Sequence, residues 1–249
     1  MNNPFSLMRS FLALPNDHSG KIIGMAFIVA IIASFFVSLT AVTLQPLREA
    51  NRERANKAGM LAIINQLDVK QPQARLVELS SGKYVKKATG IWRQIPPSRD
   101  PARISQIEDV ATVYEVRDGE TLSLVILPVR GKGYKSTMKG FLALEGDINT
   151  VAAVKFHEHD ETPGLGAIIG NDAWTNRWKG REIADASGKI LIEVVKGRAS
   201  GVHEVDGISG ATRTSSGVST LIRFWLGPDG YGPYLEKLRQ GDIKRGDTK

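Results

Sequence analysis

The run from Asp206 to Ser215, DGISGATRTS, sets four hydroxyls, two glycines and an alanine behind a single carboxylate. Hydroxyls at this density either cap and turn the chain or accept a phosphoryl group, and glycine lets the backbone come close to a bound group. An apolar stripe follows at once: Val218, Leu221, Ile222, Trp225 and Leu226 recur at helical spacing, and Gly227-Pro228 stops it. The stripe predicts a helix whose start falls among Thr214, Ser215 and Ser216, any of which could cap it. The hydroxyl-rich run is then a loop feeding a helix N-terminus, where free N–H groups and the helix dipole favour an anion, especially a phosphate. The spacing fits neither a Walker loop nor a Gly-x-Ser-x-Gly elbow. From these residues alone, a capped turn and a ligand-holding loop both stay open.

Other candidates are weaker. His157 and His159 would share one face of a strand and could hold a metal, but no third ligand is evident, with His203, Asp160 and Glu161 the residues to consider; a polar strand end is the stronger reading, and no metal is expected. Glu161-Thr162-Pro163-Gly164-Leu165-Gly166 reads as a rigid turn. With no cysteine, disulfides, thiolate metal sites, iron–sulfur clusters and cysteine nucleophiles are excluded. No nucleophile-and-base constellation or Gly-x-Gly-x-x-Gly nicotinamide signature is present. The net charge is +7 and the pI near 9.6, yet the basic residues are scattered, without the aromatic-interleaved stripe that single-stranded nucleic acid requires; no nucleic-acid partner is expected.

The elements that must position the loop follow from patterning. Of 249 residues, 42% are hydrophobic, enough for one membrane element and a soluble unit of about 200 residues. Ile22 to Leu44 carries no charge and has the ~20-residue length that crosses a ~30 Å hydrocarbon layer. It is too long for the apolar core of a cleaved signal peptide, and is read as a transmembrane helix. Leu47 to Leu67 reads as a helix continuing from it, with Leu61, Ile64 and Leu67 at helical spacing. Val110–Val116, Leu122–Val129, Gly140–Leu144, Val151–His157 and Ile190–Val195 read as strands bounded by turn signals, and 95–101 as an internal loop. Few long helices lie between them, so the fold class is α+β: a mixed or mainly antiparallel sheet with packed helices, preceded by one N-terminal transmembrane helix.

Asp206-Gly207-Ile208-Ser209-Gly210-Ala211-Thr212 resembles the flavinylation motif, Asp-x-x-Ser/Thr-Gly-Ala-Thr, of the FMN-binding domain family found in the C subunit of the Na+-translocating NADH:quinone reductase and in the G subunit of the related Rnf complex. ETPGLG, upstream, is similar to that family's second signature. The resemblance extends over nearly the whole chain, through LQPLREANRERANK, RGKGYKSTMKGFLALEGD and FWLGPDGYGPYL, and its length is closer to the quinone reductase subunit than to the shorter Rnf one. It implies FMN joined through its phosphate to the Thr212 hydroxyl by a separate flavin transferase that uses FAD and magnesium. It further implies an electron-carrying subunit, not catalytic alone, in a six-subunit membrane complex that oxidises NADH with quinone and exports Na+. Ser209, Gly210, Ala211, Asp206, Thr214, Glu161, Thr162, Gly164 and Leu165 are the accompanying cofactor-binding candidates. Arg213 could neutralise the phosphodiester. Members of the family often carry a tryptophan after the segment matching Gly131 to Tyr134; here Lys135 stands there, and Tyr134 could take its place against the flavin. An Rnf-type flavin subunit and a flavin-free anchored scaffold are the alternatives.

These readings divide the chain into a cytoplasmic tail (1–21), a transmembrane helix (22–44), a membrane-proximal helical and connecting segment (45–109) and an FMN-binding domain (110–249). Arg9 and Lys21 precede the anchor, whereas Arg48, Arg52, Arg54 and Lys57 follow it, so the charge rule weakly favours a cytoplasmic domain. The resemblance implies the reverse, because the family's flavin transferase works outside the cytoplasmic membrane. The excess is small and the rule concerns short loops, so the expectation is a single-pass inner-membrane protein with its flavin domain in the periplasm.

Overall fold

The computed structural model describes residues 11–69 and 72–241, and Arg9 lies outside them. The chain divides into two units, 1–54 and 55–249. In the first, helix α1 (Ser19–Leu67) begins, 49 residues long with Pro46 inside it. Its apolar stretch is long enough to cross a membrane, and side chains such as Phe27 (67% exposed) and Val37 (70%) face outward without protein cover. A helix apolar on all sides is stable only when something apolar surrounds it. Its threonines suit such a setting: Thr40 Oγ1 donates to Phe36 O at 2.7 Å and Thr43 Oγ1 to Leu39 O at 2.9 Å, so both donors are paired within the helix.

The second unit is built on a sheet. Strands β1 (Gln73–Glu78), β2 (Lys83–Val85), β3 (Trp92–Gln94), β4 (Gln106–Glu108), β5 (Val110–Asp118), β6 (Thr121–Lys132), β7 (Thr137–Glu145) and β8 (Val151–Glu158) are followed by a one-turn helix α2 (Asp172–Thr175). Short strands β9 (Glu193–Val194) and β10 (Glu204–Val205), helix α3 (Thr212–Leu226) and helix α4 (Gly232–Gln240) complete it. Six strands form one sheet in the order β2-β1-β5-β6-β7-β8, with β3-β4 and β9-β10 as separate pairs. Every pairing in the large sheet is antiparallel. The fold is thus α+β, as the pattern of short apolar runs required.

Alternation along the central strands gives the sheet two apolar faces. Val125, Leu127, Val129, Leu142 and Leu144 pack with Val218, Leu221, Ile222 and Trp225 of α3. Leu124, Ile126, Phe141 and Ala143 point the other way and are covered by Ile63, Met60 and Leu67 at the end of α1. The register Leu127↔Leu142 and Ile126↔Ala143 keeps each pair on its own face. Helix α3 is also pinned by polar groups: Trp225 Nε1 donates to Arg130 O at 2.6 Å, and Arg223 donates to the carbonyls of Leu191 and Ile192 at 3.0 and 2.8 Å.

Residues 73–108 supply β1 to β4, and β1 pairs along its whole length with β5, from Gln73↔Glu115 to Glu78↔Val110. The 95–101 loop includes a single 3-10 turn at Pro97–Arg99. Ile190–Val195, expected as a strand, yields only the two-residue β9, which runs parallel to β10. Its neighbours are occupied by α3: besides the Arg223 contacts, Val194 N donates to Ser219 Oγ at 2.8 Å. Helix side chains thus take the Leu191 and Ile192 carbonyls and the Val194 N–H, while the Glu193 and Val195 N–H groups go to the carbonyls of His203 and Val205.

Candidate functional site

Helix α3 starts at Thr212, with Ala211 as its N-cap and no side-chain cap. This is two residues earlier than Thr214–Ser216, so Thr212 and Arg213 stand on the first helical turn, whose N–H groups have no intrahelical acceptor. The three candidate cap residues have other work or none. Thr214 is 2% exposed and donates to Glu161 Oε2 at 2.6 Å. Ser215 Oγ accepts from Ile208 N at 3.3 Å, and Ser216 is exposed. Thr212 and Ser209 are exposed as well. Of the two threonines in the run, one faces solvent and the other is sealed in.

The loop before the helix is shaped by its own first residue. Asp206 Oδ1 accepts from Ala199 N at 2.6 Å, Oδ2 accepts from Arg177 at 2.5 Å, and its carbonyl accepts from Trp174 Nε1 at 2.9 Å. The Ala199 N–H, against some desolvation and with Arg177 alongside, holds the Asp206 carboxyl below its ordinary range. Asp206 therefore fixes the loop to its neighbours. Ile208 and Ala211 are buried, and Gly210 sits at φ +74°. Glycine is favoured there by its dihedral; a Cβ would also lie 2.8 Å from Cδ2 of the exposed Leu165, which would have to swing aside.

Leu165 belongs to the ETPGLG turn. The Thr162 carbonyl accepts from Leu165 N and Ala167 N, both at 3.1 Å, and Gly164 stands exposed at the tip. Glu161, 4% exposed, is the hub. Its carboxylate accepts from the N–H groups of Tyr134, Lys135 and Ser136 at 3.3, 2.9 and 3.0 Å, from Ser136 Oγ at 3.2 Å, and from Thr214 Oγ1. Burial pushes its pKa up, but these donors together outweigh that and hold it below the ordinary glutamate value. Gly166 makes the convergence possible, since a Cβ there would lie 2.6 Å from Thr214 Oγ1. One ionised carboxylate thus joins the 134–136 turn, the ETPGLG turn and the first turn of α3.

Two surfaces flank Thr212. On one, Leu165 is 41% exposed and Tyr134 56% exposed, with the Arg213 guanidinium 5.2 Å from the Tyr134 ring centroid. On the other, a cavity of about 580 Å³ is lined by Thr212, Ser209, Gly210 and Ser216 together with Arg177, Lys196, Arg198 and Arg223. Its size lies in the range of small-molecule sites, roughly 300–1,000 Å³. A second cavity, of about 680 Å³, lies elsewhere, against Met60, Tyr114, Phe141 and His157. It has no exposed hydroxyl cluster beside a helix start. His157 Nε2 meets Asn56 Oδ1 at 2.7 Å and its ring stacks on Phe141, with burial lowering its pKa, while His159 packs against Gly170. Among the described residues no three His, Asp or Glu side chains are grouped to hold a metal.

The arrangement suits a flavin phosphate. An accessible hydroxyl on a first helical turn offers attachment beside free N–H donors, cations stand close by, and Leu165 with Tyr134 presents an apolar, aromatic flank for a flat ring. Glu161 and its Thr214 bond are the features beyond reach of sequence reasoning in detail: the two residues lie 53 positions apart.

This fold and site define an FMN-binding domain, and residues 133–227 match the family model described as "FMN-binding domain". The Na+-translocating NADH-quinone reductase C subunit of Pseudomonas aeruginosa is 37% identical over 88% of this chain and 95% of its own, and that of Yersinia pestis 36% identical over 93% and 97%. The crystal structure of Shewanella oneidensis NqrC superposes with a TM-score of 0.69 at 29% identity, over 76% of this chain and 99% of that one. The chain belongs to the NqrC family, the C subunits of the Na+-translocating NADH-quinone reductase.

Proposed function

We propose that the chain is the electron-carrying C subunit of a six-subunit Na+-translocating NADH:quinone reductase and holds FMN covalently, by a phosphoester to Thr212 made by a flavin transferase. The observation that carries the assignment is the sorting of hydroxyls: Thr212 is exposed on the first turn of α3, while Thr214 is buried on Glu161. When bound, FMN supplies one- and two-electron transfer, the chemistry that links a two-electron donor to one-electron carriers. The chain's own residues hold and orient it. Arg213 and the first-turn N–H groups face the phosphate charge, Gly210 and Ala211 keep the loop low, and Leu165 and Tyr134 flank the ring. Asp206, Thr162, Gly164 and Glu161 fix the loops that carry these groups. No side chain here is asked to act as acid or base, which suits a relay.

The anchor helix and the family together support a single-pass inner-membrane protein, and the reading places the flavin domain in the periplasm, where the transferase would act. Na+ export is a property of the assembled complex in this reading. Peptide mass mapping of the chain produced together with the transferase tests the attachment. FMN minus water should appear on the fragment containing Thr212, and attachment to Ser209 or Thr214 would refute the assignment.

A further inference from the structure

The cavity beside Thr212 carries more positive charge than the finished linkage can use. Four cations line it, and two are already spent: Arg177 pairs with Asp206 at 2.5 Å and Arg223 with Glu193 at 2.9 Å. Lys196 and Arg198 are exposed and make no hydrogen bond or ion pair among the described residues. A phosphodiester at Thr212 has a single negative charge, and Arg213 adjoins it in sequence. Leu165 and Tyr134, the apolar groups fit for a flavin ring, do not line this cavity. The cationic side of Thr212 is thus left over once a flavin is in place on the apolar side.

Making the linkage supplies a partner for it. A phosphate monoester has no adequate leaving group, so a phosphoester at Thr212 requires a phosphoanhydride donor, a flavin dinucleotide. Thr212 Oγ bonds to the flavin-side phosphorus, and the bridging P–O bond breaks. Its electron pair departs with the nucleoside monophosphate, and the hydroxyl proton is released to solvent. Attacking and leaving oxygens stand in line across phosphorus, so the leaving half projects away from Thr212 and brings further anionic oxygens with it. We propose that Lys196 and Arg198 form an anion subsite for the nucleotide phosphate of that donor, filled while the flavin is being attached and released afterwards. The inference rests on Thr212 being the attachment residue. Lysine and arginine suit the task, because both bind phosphate oxygens through charge-assisted hydrogen bonds.

The test uses the full chain, purified flavin-free in detergent, with inorganic pyrophosphate and FAD as probes. Calorimetric titration should show pyrophosphate binding that weakens about tenfold or more in a K196Q/R198Q double variant, the effect expected of losing charged hydrogen bonds. With transferase added, the FAD concentration for half-maximal flavinylation should rise to a similar extent, while the yield at saturating FAD and the circular dichroism spectrum stay unchanged. K196R/R198K should restore both. Absence of pyrophosphate binding to the unmodified chain, or equal pyrophosphate and FAD dependence in the double variant, would overturn the subsite while leaving Thr212 flavinylation intact. An unmodified chain that takes no flavin on Thr212 would remove the attachment assignment and the subsite together.

Discussion

Thr212 and Thr214 are two residues apart, about 200° around a helix, which is why one hydroxyl faces solvent and the other the core. Thr212→Ala should therefore lose covalent flavin, read as fluorescence of the denatured band, while shifting stability by well under 1 kcal/mol, because an exposed hydroxyl without partners is removed. Thr214→Val should behave oppositely: flavin is retained, and urea unfolding shows a loss of about 1–3 kcal/mol from the bond withdrawn from Glu161. Gly210→Val should block attachment, since the new side chain meets Leu165 and strains a backbone at φ +74°; full flavinylation of that variant would defeat the crowding argument. Glu161 adds a pH dependence. Its carboxyl titrates below the ordinary glutamate value of about 4.3, so its contribution to stability is complete above that pH and disappears as pH falls through the lower, folded value. Thermal melts from pH 6 to pH 3 should fall less steeply in Glu161→Gln than in the unmodified chain. Residue types showed a loop feeding a helix and a rigid ETPGLG turn, and only the family resemblance singled out Thr212; the Glu161–Thr214 bond was legible in neither, because nothing local to either residue announces a partner 53 positions away.

At the level of elements, legibility followed length and period. The α3 stripe was clear, as five apolar residues repeat at helical spacing, and so were β5 to β8, whose runs are long enough to alternate. Strands β2, β3 and β4 have three residues each, too few to show a period, and β1 (QARLVE) has polar Gln73, Arg75 and Glu78 among its six residues, leaving a short apolar run. Ile190–Val195 looked like a strand from its apolar content after a turn signal, but Arg223 and Ser219 of α3 occupy several of its backbone groups. Leu221, fully buried between α3 and β6, is the sharpest test of the packing: Leu221→Ala should cost about 2–5 kcal/mol in urea unfolding, depending on how far the site collapses. A cost below 1 kcal/mol would mean that α3 is not part of the core. At the last helix, Tyr84 and Tyr234 both donate to the buried Glu115, whose other oxygen accepts from Arg117 at 2.7 Å, and so α4 is fastened to the sheet by hydrogen bonds as well as by Leu235.

On the scale of the whole molecule, the charge rule and the proposed periplasmic reading put the soluble domain on opposite sides of the membrane. Protease added to spheroplasts should digest the flavin domain under conditions that degrade a periplasmic control, and full protection would reverse the topology. The two faces of the sheet are covered by helices from distant parts of the chain, Ile63 and its neighbours on one side and α3 on the other. The order of synthesis follows. When β8 has emerged, the face that Ile63 covers can already close; on the opposite face Ile169, Trp174 and Trp178 can pack as they are made, but the part that Val218, Leu221 and Ile222 cover stays open until residues up to Leu226 have been made. At a synthesis rate of about 5–20 residues per second that interval lasts several seconds, during which an apolar surface stands open. The helix that bears Thr212 is also the one that completes this face, so the Thr212 hydroxyl takes up its outward position only as the core is completed. If Thr212 carries the flavin as proposed, attachment is a late event in maturation, and a chain cut short before α3 should lose its core packing as well as its colour.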